Sequence, residues 1–541
     1  MRYATDAYRR MNFRLYLIVV LILQNKFILS QSFIWATASG GIGNDVGTAV
    51  VNDKEGNIYI TGNISGSGFF QDSFVTGTVF EVFLAKYNPS GNLIWVKTYG
   101  GLRNEKAHAM CLTDDAIYLC GYFEDTAQFG NTRLVSAGGY DVFVLKTDLN
   151  GNTLWARKAG GPRQDIAYGI TADPTGNVYV CGSFSETINI QQQQLTTVNP
   201  FTESFLFSLD KDGNVRWAKN SIGNNNNSAM SIAWNKIDGL SVCGFFGRNF
   251  TWDNNQIVSQ TTSYDYFVAT FDTSGSLVWL TGFGSAAEDQ ALAVTCDESG
   301  NTLITGYTGG ILYLNGKPLD FFGWNDVFVA KYNRNGSLVW ITQAGGPKLD
   351  LGTCITTDKN GNIYVSGMFE NSCRFTNDTI YDADRGIFIA VFDSLGKVLL
   401  AQSAGDIQTD AAMGISVFGN HVYVTGYYLF KCRFGLFEMP YADFFNIFLA
   451  AYALPSFNSV TDFAENVIKI FPNPTDDILF IEAQKPGSIK IMNATGQILY
   501  TQNMRDAELL SIEAIKKIPI GIYFLLFNNG EKEFVYKFVK H

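Results

Sequence analysis

The sequence predicts an all-β fold: a seven-bladed β-propeller closed by its own N-terminal strand, followed by a small antiparallel β-sandwich. The first observation behind this is a repeat. Trp35, Trp95, Trp155, Trp217, Trp279 and Trp340 lie 60, 60, 62, 62 and 61 residues apart, and Leu400 takes the seventh position. A period of that length marks an array or propeller, whose units bury their apolar faces only against one another. The second is composition: 53 Gly and 43 Phe, with 16% charged residues, favour many short strands joined by tight turns. The third is a break. The repeat stops after Tyr452, and the remaining chain alternates apolar and polar residues between short turns.

Residues 1–30 read as an export signal. Arg9, Arg10 and Arg14 precede the apolar run Leu15–Leu23, and a short polar stretch ends at Ser30. A basic flank, a short apolar core and a small exit residue describe a signal peptide. The run is too short to span a bilayer as a helix, so no transmembrane segment is expected in the mature protein. Met11 is an alternative initiator. Cleavage is expected after Ser30, which leaves no cysteine at the new terminus for a lipid anchor. The next segment, Ser32-Phe-Ile-Trp-Ala-Thr37, is a lone copy of the Trp strand.

The unit itself is clearest in its third copy. After Trp155 come Gly160-Gly161, Asp165, a strand of small residues (Ala167–Asp173), the turn Pro-Thr-Gly-Asn and the strand Val178–Gly182. A variable stretch leads to Ser204–Leu209, then Asp210-Lys-Asp-Gly-Asn214 and Val215-Arg-Trp217. Four strands per copy follow, with Gly supplying positive φ in the turns. Small side chains suit the innermost strand, where blades crowd the axis, and the Phe and Trp strands pack blade on blade. The last copy, ending Asn446–Tyr452, lacks its Trp strand. The lone strand at the start fills that place and removes an exposed edge, which an open solenoid would have no reason to do. Residues 31–455 therefore form the predicted propeller and 456–467 a linker, with 468–541 the second domain.

Eight cysteines in an exported chain invite disulfides, yet Cys120, Cys181 and Cys243 share one repeat register and read as small core residues. A Cys111–Cys120 bridge across a tight hairpin stays open. No spacing resembles a zinc site.

The Gly-Asn-x-Tyr-Val-x-Gly, Asp-Val-Phe-Val-Ala-Lys and Gly-Asn-Leu-x-Trp segments resemble the propeller repeats of secreted bacterial proteins. That resemblance implies a fold more than a function. The second domain resembles the type A C-terminal sorting domain of the type IX secretion system. The matched landmarks, in order, are Phe471-Pro472-Asn473-Pro474, the turn at Gly496, the Gly521-Ile-Tyr523 strand, and Lys537 and Lys540 near the end. It implies recognition by the outer-membrane translocon and its sorting machinery, and a product released or held on the outer surface of the outer membrane. A generic carbohydrate-binding or Ig-like sandwich is the competing reading.

For function, a net charge of −11 and the lack of a basic stripe argue against nucleic acid. Three histidines, His108, His421 and His541, leave little for a metal site or general-base chemistry, and no catalytic constellation stands out. Ten residues after each anchor stands an acid or its amide: Asp45, Glu105, Asp165, Asn227, Asp289, Asp350 and Asp410. The simplest reading is structural, a cap on the Gly-Gly turn through backbone N–H groups. A carboxylate ring holding structural Ca²⁺ is the alternative, and no other cofactor is expected. Trp252 and Trp324 depart from the Trp register; beside Asp253 and Asn325 they are candidates for stacking on a sugar or anchoring a protein, against burial as core. The expected function is a surface-directed binding or adhesion scaffold for a glycan or protein. The rival expectations are an extracellular glycan-processing enzyme and a passive envelope component.

Overall fold

The structure is a computed structural model that describes residues 33–237, 239–259, 261–314, 316–376, 378–406 and 408–454. In the C-terminal unit it describes 468–471, 479–483, 486–493, 497–505, 509–519, 521–528 and 533–540. The predicted signal (1–30), Ser32 and the linker (456–467) lie outside the described residues. The chain divides into two compact units, Met1–Pro455 and Ser456–His541. Regular structure among the described residues is strand, apart from a 3₁₀ turn at Glu513–Lys517.

In the first unit the pairings resolve into successive four-strand antiparallel ladders, one per repeat copy. The third copy runs Asp165–Ala172, Val178–Phe184, Glu203–Leu209 and Val215–Asn220, each strand paired with the next. The two middle strands are buried nearly throughout, the first mixes buried and half-buried positions, and the fourth is half-buried. This is why the middle strands read as continuous apolar runs and the flanking ones do not. The turns follow their sequence: Asp210 Oδ1 accepts from the N–H of Asp212 (2.9 Å) and Asn214 (2.8 Å), and Gly213 has φ +81°.

The last copy is the exception foreseen in the sequence. Its strands Ala411–Phe418, His421–Phe430 and Ala442–Ala453 take Phe33–Gly41 as their fourth, with Trp35 opposite Ala451 and Ala38 opposite Phe448. Trp35 sits as the other anchors do. Its ring lies 6.1 Å from Tyr423, as Trp155 lies 6.1 Å from Tyr118 and Trp217 6.1 Å from Tyr179. Four of the six indoles also bond the next copy: the Nε1 of Trp35, Trp155, Trp217 and Trp340 donates to Pro89, Lys211, Thr273 and Ser394 carbonyls at 3.0–3.2 Å.

Two features of the ladders are absent from the four-strand expectation. The variable stretch between the second and third strands folds into an extra hairpin, and in the first four copies this pairs with the preceding copy's outer strand. Thus Ile190 stands opposite Ala159, and Phe70 opposite Ser39. The second is a β-bulge in every inner strand, at the third residue past the acid. The unpaired residues are Thr48, His108, Tyr168, Met230, Leu292, Thr353 and Met413.

Inner strands of successive copies touch. Thr48 Oγ1 donates to Ala107 O (3.0 Å), Trp234 N to Thr171 Oγ1 (3.1 Å), and Val294 N to Ser231 Oγ (3.2 Å). Thr357 Oγ1 donates to Cys296 O (3.1 Å) and Thr353 Oγ1 to Ala412 O (2.6 Å). Between the last inner strand and the first, Ser416 Oγ donates to Asn52 Oδ1 at 2.7 Å. None of the eight cysteines is in a disulfide. The bridge left open at Cys111 and Cys120 does not form, because the register sets Cys111 opposite Tyr118 and Cys120 opposite Ala109.

The second unit has a three-stranded sheet (Ile468–Phe471, Leu479–Ala483, Leu509–Ile512) and a four-stranded one (Ile498–Met504, Gly487–Asn493, Gly521–Asn528, Glu533–Lys540). Leu479, Ile481 and Ile512 from one and Ile489, Ile491 and Leu525 from the other share a core.

Candidate functional site

The acids past each anchor are buried: Asp45, Glu105, Asp165, Asp289, Asp350 and Asp410 are 0% exposed and Asn227 1%. Five of the seven accept a backbone N–H from the turn four residues earlier. Gly41, Gly101, Gly161 and Gly346 donate their N–H to Asp45 (2.7 Å), Glu105 (3.0 Å), Asp165 (2.7 Å) and Asp350 (2.7 Å). Asp289 accepts from Ser285 N (2.5 Å) and Asp410 from Leu429 N (3.2 Å). Asn227 Oδ1 accepts from Ser204 N (2.8 Å), Ser204 Oγ (2.7 Å) and Ser221 Oγ (2.7 Å).

Sequence reasoning missed that these acids have partners. Two residues before the third-strand Phe stand Glu81, Asp141, Glu203, Asp265 and Asp326. All but Glu203, whose counterpart is the amide Asn227, stand near the next copy's inner acid across the intervening turn. Asp265 Oδ1 and Asp289 Oδ2 lie 2.4 and 2.9 Å from the point a β-carbon on Gly284 would occupy. Burial, with the neighbouring carboxylate adding to it, pushes Asp165 and Asp350 up to about 8; burial alone holds Asp326 near 7. Asp410 is raised to about 8, Asp45 and Glu105 to about 7, and Asp289 to about 6, burial leading in each. Carboxyls of adjoining copies thus stand together at the turn, and Asp165, Asp265, Asp326 and Asp350 each keep one oxygen without a hydrogen-bond partner. Among the described residues, no three Asp, Glu, His or Cys side chains gather around a metal position.

The structure separates the two off-register tryptophans. Trp252 is 1% exposed, within 4.9 Å of the Phe271 ring and 5.8 Å of the Phe250 ring, so it has no face left for a ligand. Its neighbour Asp253 accepts from Lys219 Nζ (2.7 Å) and Leu277 N (3.1 Å). Gln71 and Gln191 accept from Leu93 N and Val215 N at the same place in their copies, so Asp253 is a hairpin staple. Trp252 and Asp253 are thereby corrected from ligand candidates to framework. Trp324, in contrast, is 72% exposed, and Asn325 stands in a bridge to Leu349 with its carbonyl accepting from Asp350 N at 2.9 Å.

The acid-bearing end carries a different set of irregular residues, which the sequence reading did not single out. The seven bulge residues are all half-buried and differ from copy to copy, whereas the residues around them obey the repeat. A bulge re-aims its side chain, and bulges gather beside functional sites. Beside them stand two further positions: the residue after the second-strand glycine, and the third before the Phe, where Asn325 belongs. Both are aromatic in three copies, with rings in contact: Tyr122–Tyr140 at 4.5 Å, Phe245–Tyr264 at 5.2 Å and Tyr427–Phe445 at 4.7 Å. His108 packs 5.6 Å from Tyr122 and 5.1 Å from Tyr168, and burial, with Lys106 adding, lowers its pKa to about 4. The signal for this set was departure from the repeat at a fixed register, visible only once the bulge is known.

The landmarks of the C-terminal unit are partly described. Phe471 ends the first strand, and Gly521, Tyr523, Lys537 and Lys540 lie in the last two. Tyr523 is buried and its hydroxyl donates to Pro519 O at 2.6 Å; Lys540 is also buried. Pro472, Asn473, Pro474 and Gly496 lie outside the described residues.

Residues 469–541 match the model of the secretion system C-terminal sorting domain, and residues 154–183 and 339–368 match that of the beta-propeller repeat. An uncharacterized WD repeat-containing protein of Acanthamoeba polyphaga mimivirus is 26% identical over 43% of this chain and 20% of its own length. The regulatory protein FlaEY of Caulobacter vibrioides is 23% identical over 59% of this chain and 36% of its own. The matches thus span about a fifth and about a third of these relatives. Among solved structures, a gluconolactonase from Xanthomonas campestris is 11% identical, with a TM-score of 0.30, covering 62% of this chain and 84% of that one. A puromycin hydrolase is 10% identical, with a TM-score of 0.36, covering 82% and 59%.

Proposed function

We propose, for a chain that carries propeller repeats and a type IX sorting domain, that it is an exported seven-bladed propeller, closed by its N-terminal strand, whose acid-end axial face binds a glycan or a protein. The sorting domain directs export, to the cell surface or beyond it. Closure is supported by the pairing of Phe33–Gly41 with Ala442–Ala453 and by the Ser416–Asn52 hydrogen bond between the last and first inner strands.

The observation that carries the binding reading is the set of seven bulges. A scaffold selected only for shape would keep the repeat at these positions. Instead, besides the two threonines that bond the next inner strand, they hold imidazole, phenol, thioether and aliphatic groups in turn, flanked by aromatic pairs, the amphipathic side chains that recognition surfaces favour.

Binding is favoured over catalysis for two reasons. The buried carboxylates at this end are engaged by backbone N–H groups. The face's histidine, His108, is held neutral at ordinary pH between two tyrosines. The test uses the full mature chain, probed against oligosaccharide arrays and extracted envelope proteins alongside hydrolase substrates. Binding that is lost in a His108→Ala/Tyr168→Ala double variant of unchanged melting temperature supports the reading. Turnover of any substrate, or binding indifferent to that double variant, contradicts it.

A further inference from the structure

At the acid end, the third, fourth and fifth copies enclose a cavity of about 320 Å³, at the small end of the range for small-ligand sites. Its walls include the bulge residues Tyr168 and Met230, the aromatic pair Phe245 and Tyr264, and the inner-strand residues Ser228 and Gln290. The walls are partly exposed, so the cavity is open to solvent.

Three features define what it can take. None of the twelve residues that line it carries a charge. That is selective, because a cavity of about 500 Å³ at the turn end of the second and third copies is lined by Asp114, Asp115, Lys146, Asp173 and Lys211. An ionic ligand would lose its hydration in the acid-end cavity with no counter-charge in return. The second feature is aromatic. The rings of Phe245 and Tyr264 meet at 5.2 Å and 75°, and Tyr168 faces the same space, a wall suited to the C–H face of a sugar ring. The third is an orphan: Ser228 is 5% exposed and its hydroxyl has no hydrogen-bond partner. A buried hydroxyl left unpaired is costly and asks for a partner at that place. Its neighbour in the cavity, Asn226, already has its Oδ1 engaged by Thr202 N at 3.0 Å.

We infer that this cavity is the ligand subsite of the axial face, and that its ligand is an uncharged saccharide stacked on Tyr264 and Phe245 with a hydroxyl on Ser228. The inference rests on the binding reading above and narrows it to one class of ligand and one sector of the face.

The test is an array of neutral oligosaccharides (glucose-, galactose-, mannose- and N-acetylglucosamine-based) beside sialylated and uronate-containing ones, probed with the full mature chain. Calorimetry then follows each hit. Tyr264→Ala should weaken neutral-sugar binding about tenfold or more, Tyr264→Phe should retain it, and Ser228→Ala should weaken it severalfold, all with unchanged melting temperature. Neutral-sugar binding that survives Tyr264→Ala but is lost on Thr353→Ala/Met413→Ala overturns the subsite and leaves the axial face standing. Hits restricted to acidic glycans, or to a protein, overturn the ligand class alone. A chain that binds nothing on the array or in the envelope extract overturns both.

Discussion

At Gly275 two demands meet. Its φ of +83° is one that L side chains rarely adopt, and a β-carbon there would lie 2.9 Å from Trp217 Cε3. The glycine of the turn is therefore also the seat for the previous copy's indole, and Gly336 seats Trp279 in the same way at 2.7 Å. Gly275→Ala should destabilise by about 1–3 kcal/mol from backbone strain, with the indole clash adding to it. Chemical denaturation checks this, and an unchanged midpoint would sink the double role. The tryptophans off the register give a sharper contrast. Trp252→Ala should cost about 3–5 kcal/mol, as truncation of a buried aromatic does, whereas Trp324→Ala should stay within about 0.5 kcal/mol. In the sequence the two look alike. What separates them is that the extra hairpin folds Trp252, with Phe250 beside it, onto Phe267 and Phe271 of the third strand, and such a contact is not written in local pattern.

Within each sheet, strand order and turn positions were legible because Asp-x-x-Gly-Asn turns and Phe and Trp registers recur with every copy. The bulges and the extra hairpins were not. A bulge adds one residue to one strand and leaves the period of the whole unit unchanged, and the hairpins lie in the stretch where the copies diverge most. The acid pairs where adjoining sheets meet were half legible: the inner acid was found from its register, its partner before the Phe was not. Their protonation makes a prediction. A carboxyl raised by folding contributes stability that is fully present below its unfolded pKa and is lost as pH rises through the folded value. For Asp350 that window runs from about 4 to about 8. Thermal unfolding across this window should show the wild-type melting temperature falling, and Asp350→Asn should gain on wild type as pH rises. Asn227 is the precedent, an amide already standing at this register with its oxygen accepting three hydrogen bonds. Parallel pH profiles for the two proteins would contradict the prediction.

As a whole, the molecule joins two separately packed units, a sorting domain and a propeller unit for which we propose a recognition face. Deleting residues 468–541 should abolish surface exposure, read by protease shaving of intact cells, without moving the melting temperature of the propeller unit. Continued exposure would contradict the role of the sorting domain. The recognition face makes a stronger demand, because seven bulge residues converge on one axis only if the ring is closed. Closure rests on one strand, Phe33–Gly41, whose backbone pairs with Ala442–Ala453 and whose Trp35 covers Tyr423 and reaches Pro89 of the next copy. Without it the last copy would expose an unpaired edge and the apolar flank that Trp35 covers. The most direct measurement is thermal unfolding of purified chains beginning at residue 31 and at residue 42. The account predicts that the shorter chain loses cooperative unfolding and aggregates at temperatures where the longer one is stable, whereas trimming a frayed terminus is nearly silent. Equal, cooperative melting of the two chains would contradict it.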